Sequence, residues 1–157
     1  MKIAFVLPLL LLVSAAPATR PAATAAANRM LVQVRHVVYT LRPGEPALIA
    51  GTNDVKIPAD TTERSSLQVT AEVGVPFETV AVLNGTTYRL AGELKQTSLP
   101  ADRISVKIDY SESSGELSKS ISRINSTITT TIDQPMPIGG ITSDTAASAM
   151  ILAVTRP

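Results

Sequence analysis

The sequence predicts an all-β protein, an antiparallel β-sandwich or open barrel of eight or nine strands. Apolar residues recur at every second position along most of the chain, and helical spacing is almost absent. Threonine, which suits a pleated surface, is abundant between Ser126 and Ile132. Turn residues separate the alternating runs at Arg42-Pro43-Gly44, Pro58 to Thr62, Ser111 to Gly115 and Gly139-Gly140.

The chain begins with the pattern of a secretory signal peptide. Lys2 precedes an apolar run from Ile3 to Val13, and small residues suited to signal-peptidase cleavage follow. This run is about half of the roughly 20 apolar residues that a membrane span needs, and Pro8 interrupts it. The predicted organisation is a signal peptide over residues 1–15 (or to 18), a flexible leader rich in Ala, Pro and Thr over 16–28, and a single β domain over 29–157.

Alternation defines the strands of this domain in chain order. The predicted strands outside the central hairpin are Met30 to Leu41, Ala47 to Ala50, Val55 to Ile57, Leu67 to Val75, Ile104 to Tyr110, Ile124 to Ile132 and Ala149 to Thr155. Ile121 falls on the opposite parity from Ile124, and a bulge near Ser122 and Arg123 would reconcile the two.

A hairpin is predicted over Phe77 to Gly92. Asn84-Gly85 joins two alternating runs, and both residues tolerate the positive φ angles of a type I′ turn. Pairing Leu83 with Thr86 places Phe77, Ala81, Leu83, Tyr88 and Leu90 on one face, and Glu78, Val80, Val82, Thr87 and Arg89 on the other. In this register Glu78 and Arg89 are diagonal neighbours and form a surface pair.

Composition excludes several function classes. The chain has no Cys and one His, so it has no disulfide framework, no thiolate nucleophile and no Cys/His cluster for zinc or an iron-sulfur centre. Fourteen Lys and Arg oppose thirteen Asp and Glu, and removal of Lys2 with the signal leaves thirteen of each. The neutral mature chain has no basic run that would bind nucleic acid, and we expect no cofactor.

Few residues are candidates for catalysis. His36 is the one histidine of the chain, and the sequence names neither an orienting carboxylate nor a pocket for it. The nearest carboxylate pairs are Asp109 with Glu112 and Asp60 with Glu63, which we assign to turns and polar faces. A Gly-x-Ser-x-Gly elbow and a phosphate loop are both absent from the sequence. We therefore expect no enzyme activity and assign no catalytic, cofactor or metal residues.

The last predicted strand is the candidate interaction element. Met150 to Val154 is almost continuously apolar, which indicates burial on both faces. Either the strand is interior, or another chain covers one face through Met150, Leu152 and Val154. The structural turn residues that we assign are Asn84, Gly85, Gly139 and Gly140.

Two stretches near the C-terminus, Ser126 to Ile141 and Met150 to Pro157, resemble the end of the bacterial secretin domain. The stretch from Ser126 to Ile141 has a Thr-rich strand, a turn and an apolar strand ending in Gly-Gly, and Met150 to Pro157 is an aliphatic closing strand. Asp133-Gln134-Pro135 lacks the family's turn glycine, and the region that forms the membrane-facing lip of secretins is missing after Ile141. The resemblance implies a small secretin-like periplasmic or secreted module rather than a membrane pore.

Together these features predict an exported, non-enzymatic β-sheet module that acts by protein-protein contact in the bacterial envelope. The expected partner is an envelope protein or a second copy of the chain, and the expected location is the periplasm or the extracellular space. The alternative is a β-sandwich that binds a small ligand or glycan. Trp is absent and aromatic residues are scarce, which disfavours a sugar-stacking surface.

The signal assignment predicts the N-terminus of the exported protein. Because small residues precede both candidate cuts, the mature chain should begin at Ala16 or Thr19. The intact mass of the exported protein measures this directly. Recovery of the full-length chain stably embedded in the membrane would contradict the assignment.

Overall fold

The computed structural model describes residues 28–41, 48–52, 56–98, 100–114, 119–143 and 146–157. The predicted signal peptide and residues 16–27 of the leader lie outside this part of the chain. The described residues form eight strands and no helix, which confirms the all-β class. The strands are β1 (Arg29–Thr40), β2 (Thr62–Glu72), β3 (Pro76–Leu83), β4 (Thr86–Gln96), β5 (Arg103–Ser114), β6 (Lys119–Thr131), β7 (Met136–Thr142) and β8 (Ala146–Thr155).

The strands form two antiparallel sheets. The first sheet has the order β2-β1-β8-β7, and the second has the order β3-β4-β5-β6. Within the described chain no strand of one sheet pairs with a strand of the other, and the two sheets share one apolar core. The architecture is therefore a sandwich rather than an open barrel.

The main core lies between the sheets and consists of alternate side chains from each strand. Val32, Val34 and Leu152 of the first sheet and Leu90 and Val106 of the second have no exposed surface. Burying an aliphatic side chain of this size contributes about 1.5–3 kcal/mol, so the intersheet core is the main source of stability.

A second apolar cluster covers the outer face of the first sheet. Its buried members are Val37, Tyr39, Ala147, Ala149 and Ile151. Leu48 and Ile57 pack against this cluster, and the Leu48 amide donates a hydrogen bond to the Tyr39 hydroxyl at 2.9 Å. The prediction of strands at Ala47 to Ala50 and Val55 to Ile57 is therefore wrong for the described residues 48–50 and 56–57. Their apolar side chains cover a sheet instead of joining one.

The central hairpin has the predicted turn and register. Asn84 and Gly85 have φ angles of 49° and 74°, and Leu83 pairs with Thr86. Phe77 points into the core beside Leu90, which fixes the phase of β3.

Two other local predictions hold with small shifts. Glu112 pairs with Ser122 and Ser113 pairs with Ser120, so Ile121 is the extra residue of a bulge, one position from the predicted site. β2 begins at Thr62 rather than Leu67, and it ends at Glu72 rather than Val75, because the chain turns there through Gly74, whose φ is +83°.

Gly139 and Gly140 correct a prediction, because they lie inside β7 rather than at a turn. They pair with Met150 and Ala149. A Cβ atom on Gly140 would lie 2.3 Å from the Ser148 carbonyl oxygen, and one on Gly139 would lie 2.9 Å from Ile124 Cδ1. Glycine at these positions permits close approach of the backbone to its neighbours within a strand.

One end of the intersheet core is polar. Glu112 of β5 is only 4% exposed, and its Oε1 accepts hydrogen bonds from the Tyr110 hydroxyl at 2.7 Å and lies 2.9 Å from His36 Nδ1. The Tyr110 hydroxyl also lies 3.2 Å from Ser65 Oγ. Because His36 and Ser65 belong to the first sheet and Tyr110 and Glu112 to the second, this network joins the two sheets. Burial raises the pKa of Tyr110, with the hydrogen bond to Ser65 opposing and that to Glu112 adding to the rise.

The turn geometry predicts the effect of a side chain at Gly85. A Cβ there meets nothing within 4 Å, so any cost comes from the positive φ and not from a clash. Gly85→Val should lower the free energy of unfolding by about 1–3 kcal/mol, because a β-branched residue disfavours this region. Gly85→Asn, which tolerates positive φ, is the matched control and should cost less. Urea titration measures both, and equal losses would contradict the turn assignment.

The polar network predicts a pH dependence at Tyr110. Tyr110→Phe should lower the free energy of unfolding by about 1–2 kcal/mol at neutral pH, because Glu112 loses a donor. The raised pKa means that the folded state holds the phenol proton more tightly than the unfolded state, whose tyrosine titrates near pH 10. Wild-type stability from this group is thus complete below about pH 10 and falls above it, by at most about 1.4 kcal/mol per pH unit.

The measurement is urea unfolding of the wild type and Tyr110→Phe between about pH 7 and pH 11. The difference in free energy of unfolding between the two proteins should be constant up to about pH 10 and should decrease above it. A difference that stays constant through the alkaline range would show that folding does not raise the pKa of Tyr110.

Candidate functional site

Two of the four edge strands, and the start of a third, are protected against pairing with another chain. The exposed side chains of β2 and of the described part of β6 are all polar. In β7, Pro137 has no amide hydrogen, and its carbonyl oxygen accepts a hydrogen bond from the Gly51 amide at 2.8 Å. The end of β7 is not protected in this way, since Ile141 is 78% exposed. Charged or polar side chains, proline and a covering segment are the usual means by which proteins protect sheet edges.

The fourth edge strand, β3, lacks this protection over its last five residues. Thr79 to Leu83, which we name the β3 edge, carries no charge. Val80, Val82 and Leu83 are 54%, 70% and 52% exposed, and Ala81 is also exposed. Such a strip of uncharged, largely apolar residues at a free edge is a template for strand addition.

The hairpin turn determines which backbone groups of the β3 edge are free. In a two-residue hairpin the flanking pair, here Leu83 and Thr86, exchanges hydrogen bonds, and bonded pairs then alternate. Ala81 therefore bonds to β4, whereas the amide and carbonyl groups of Val80 and Val82 point away from it. The two residues with free backbone groups are those whose side chains extend from the outer face of the sheet.

A row of alternating charges crosses the outer face beside this edge. Arg89 Nε lies 2.8 Å from Glu78 Oε1, and Arg89 Nη1 lies 3.6 Å from Asp109 Oδ2. Arg123 Nη2 lies 3.2 Å from the same oxygen of Asp109. Exposed pairs of this kind contribute little to stability. Their effect is to neutralise Glu78, the charged residue next to the β3 edge.

The residues predicted to form an interaction strand are in the core of this chain. Met150, Leu152 and Val154 are buried between the sheets, and β8 pairs with β1 on one side and β7 on the other. Of the two alternatives, the strand is therefore interior. Of the predicted turn residues, Asn84 and Gly85 are at the tip of the hairpin that carries the β3 edge.

Sequence reasoning missed the β3 edge, although a signal was present. In the predicted hairpin, Val80 and Val82 share a face with Glu78 and Arg89. Two valines beside charged residues on an exposed face are a signal of a binding surface. The pattern does not reveal that β3 is an edge strand, because that depends on the order of strands in the sheet.

The polar network does not have the arrangement of a catalytic triad. His36 and Ser65 are cross-strand partners, yet the hydrogen-bond neighbour of Ser65 Oγ is the Tyr110 hydroxyl. Asp109 and Glu112 lie on opposite faces of β5, so they do not form the carboxylate pair considered above. A group of three or more His, Asp or Glu side chains able to hold a metal ion is not found among the described residues.

A shallow groove of about 440 Å³ lies beside the corner between β2 and β3. Arg29, Thr70, Glu72 and Pro76 line it, and Phe77 is its aromatic residue. Phe77 is only 8% exposed, so its ring is not available for stacking on a sugar. The groove therefore does not favour the glycan-binding alternative.

The sequence was compared with models of protein families and with curated proteins. No family model matches the chain, and no curated protein matches its sequence. In the part that the structure describes, no helix is long and apolar enough to cross a membrane. The stretches that resemble the secretin domain correspond to the second half of β6 from Ser126, all but the last residue of β7, and β8 from Met150, so they extend over both sheets.

Proposed function

We propose that this chain is an exported, non-enzymatic β-sandwich module that acts by protein-protein contact through the β3 edge. The observation that carries the proposal is the uncharged, largely apolar strip from Thr79 to Leu83, which contrasts with the polar side chains that β2 and the described part of β6 expose. The signal-peptide pattern supports a location in the periplasm or the extracellular space. A secretin-like role in the bacterial envelope is part of the same proposal and rests on the sequence resemblance.

Binding would occur by addition of a strand to the second sheet. The free amide and carbonyl groups of Val80 and Val82 would exchange hydrogen bonds with the partner strand, each contributing about 0.5–1.5 kcal/mol. Burial of the exposed parts of Val80, Val82 and Leu83 would add on the order of 1 kcal/mol for each side chain. Association costs about 4 kcal/mol or more, so the edge alone would support a contact in the micromolar range or weaker.

The way in which the polar network is built supports a non-enzymatic role. His36 Nδ1 is tied to a buried carboxylate, and Ser65 Oγ lies next to a phenol rather than a base. Both groups take part in joining the two sheets, which gives them a structural role.

The proposal predicts that one charge on the β3 edge abolishes binding. Val82→Lys places an ammonium where the partner strand would pack, and lysine is a residue that protects natural edges. Thr127→Lys, at an exposed position of the polar edge strand β6, is the matched control. Both variants should keep the circular dichroism spectrum of the parent, because both positions are exposed.

The measurement is affinity capture from the envelope fraction of the producing cell, with bound proteins quantified by mass spectrometry. Proteins retained by the parent and by Thr127→Lys should be lost with Val82→Lys. If the folded Val82→Lys protein retains the same set, the β3 edge is not the contact surface.

A further inference from the structure

We infer that the partner at the β3 edge is a second copy of this chain, paired antiparallel about a two-fold axis that passes beside Ala81. This inference rests on the proposed function and identifies its partner. The two second sheets would join through their β3 strands into one continuous sheet of eight strands, a size within the range of open sheets.

Symmetry and hydrogen bonding restrict the pairing of two β3 strands. An isologous contact places the same strand on both sides of the axis. Residues with free backbone groups must face each other, so Val80 and Val82 of one copy pair with residues of the same set in the other. An axis beside Ala81 pairs Val80 with Val82 of the second copy and, by symmetry, Val82 with Val80 of the second copy.

Two neighbouring registers would place Glu78 against an apolar side chain. An axis beside Val80 places Glu78 opposite Val82 of the second copy, and an axis beside Thr79 places it opposite Val80. Each would bury a charge against an apolar side chain. With the axis beside Ala81, Glu78 lies opposite the turn residue Asn84, which is exposed and polar.

This register also uses the inward side of the edge. Leu83, which is exposed beyond the end of the core, lies opposite Thr79 of the second copy. Ala81 lies opposite Ala81, where the small side chains permit the close approach of a pair without mutual hydrogen bonds. Every residue of the β3 edge therefore has an uncharged neighbour across the axis.

Charge favours a second copy over a partner of strong charge. The chain without its signal peptide carries thirteen basic and thirteen acidic residues, so two copies do not repel each other at long range. Next to the edge, Glu78 is paired with Arg89 of its own chain. The β3 edge is uncharged, and the adjacent Glu78 is neutralised by Arg89. Two such edges therefore do not repel each other, and neither attracts a basic or an acidic peptide.

Cysteine crosslinking tests the register, because the mature chain contains no cysteine of its own. In the proposed dimer the two Ala81 Cα atoms are about 4.5 Å apart, within the range for a disulfide. The copies of Thr79, and likewise those of Leu83, are each roughly 13 Å apart along the strands, beyond that range. Ala81→Cys should form a covalent dimer on mild oxidation at least tenfold faster than Thr79→Cys or Leu83→Cys.

Sedimentation of the unmodified mature protein tests the dimer without any variant. One strand from each copy makes a small interface, so we expect a monomer-dimer equilibrium in the micromolar range. Val82→Lys should be monomeric at about 100 µM, and Thr127→Lys should behave like the parent.

The outcomes separate this inference from the proposed function. A parent that is monomeric at about 100 µM, or faster crosslinking at Thr79 or Leu83 than at Ala81, would overturn the Ala81-centred dimer. Loss of other captured proteins with Val82→Lys would in that case still support the β3 edge as a contact surface for a different chain. Crosslinking at Ala81 together with a Val82-sensitive dimer would establish the inference.

Discussion

The burial of alternate side chains between the two sheets fixes the phase of every strand. Phe77 and Leu90 are buried in this core, and their burial determines which residues of β3 and β4 point outward. Because Phe77 points inward, the side chains of Val80 and Val82, which have the opposite parity, point outward. The core and the exposed edge are therefore two consequences of one constraint, since a strand of period two cannot bury both of its faces at the margin of a sandwich.

The same constraint explains why the core changes character at one end. The inward positions that follow Val34 on β1 and Tyr110 on β5 are His36 and Glu112, and these meet across the gap between the sheets. A buried carboxylate must have hydrogen-bond donors, and His36 and Tyr110 are placed to serve as these. The network orients the sheets relative to each other, because a hydrogen bond has a direction and an aliphatic contact does not.

Local chemistry allowed much of this fold to be predicted from the sequence. The Asn84-Gly85 turn sets the register of its hairpin without help from distant residues, and the parity change after Ile121 reveals a bulge. Long-range contacts decided the rest. Leu48 and Ile57 lie in short apolar runs that resemble strands. They pack instead against the apolar outer face of the first sheet, which the sequence pattern does not reveal.

The candidate site shows the same division. The valines of β3 are visible in the pattern of the hairpin, but their position at an edge is a property of the whole sheet. The contact between His36 and Glu112 joins residues 76 positions apart, and Glu112 falls in a segment whose serines and glycine indicate a loop. Gly139 and Gly140 look like a turn because glycine serves both tight turns and close approach within strands.

An unprotected edge raises the problem of uncontrolled aggregation, and the fold limits the length of this edge. Pro76 and Glu78 at one end of β3 and the Asn84-Gly85 turn at the other limit the uncharged strip to five residues. The opposite edge of the same sheet, β6, exposes polar side chains over its described part. Isologous pairing through β3 would cover the apolar β3 edge of each copy, and the joined sheet would end on two polar β6 strands. The second sheet would therefore not extend beyond two copies, whereas a heterologous contact between different edges would continue into a filament.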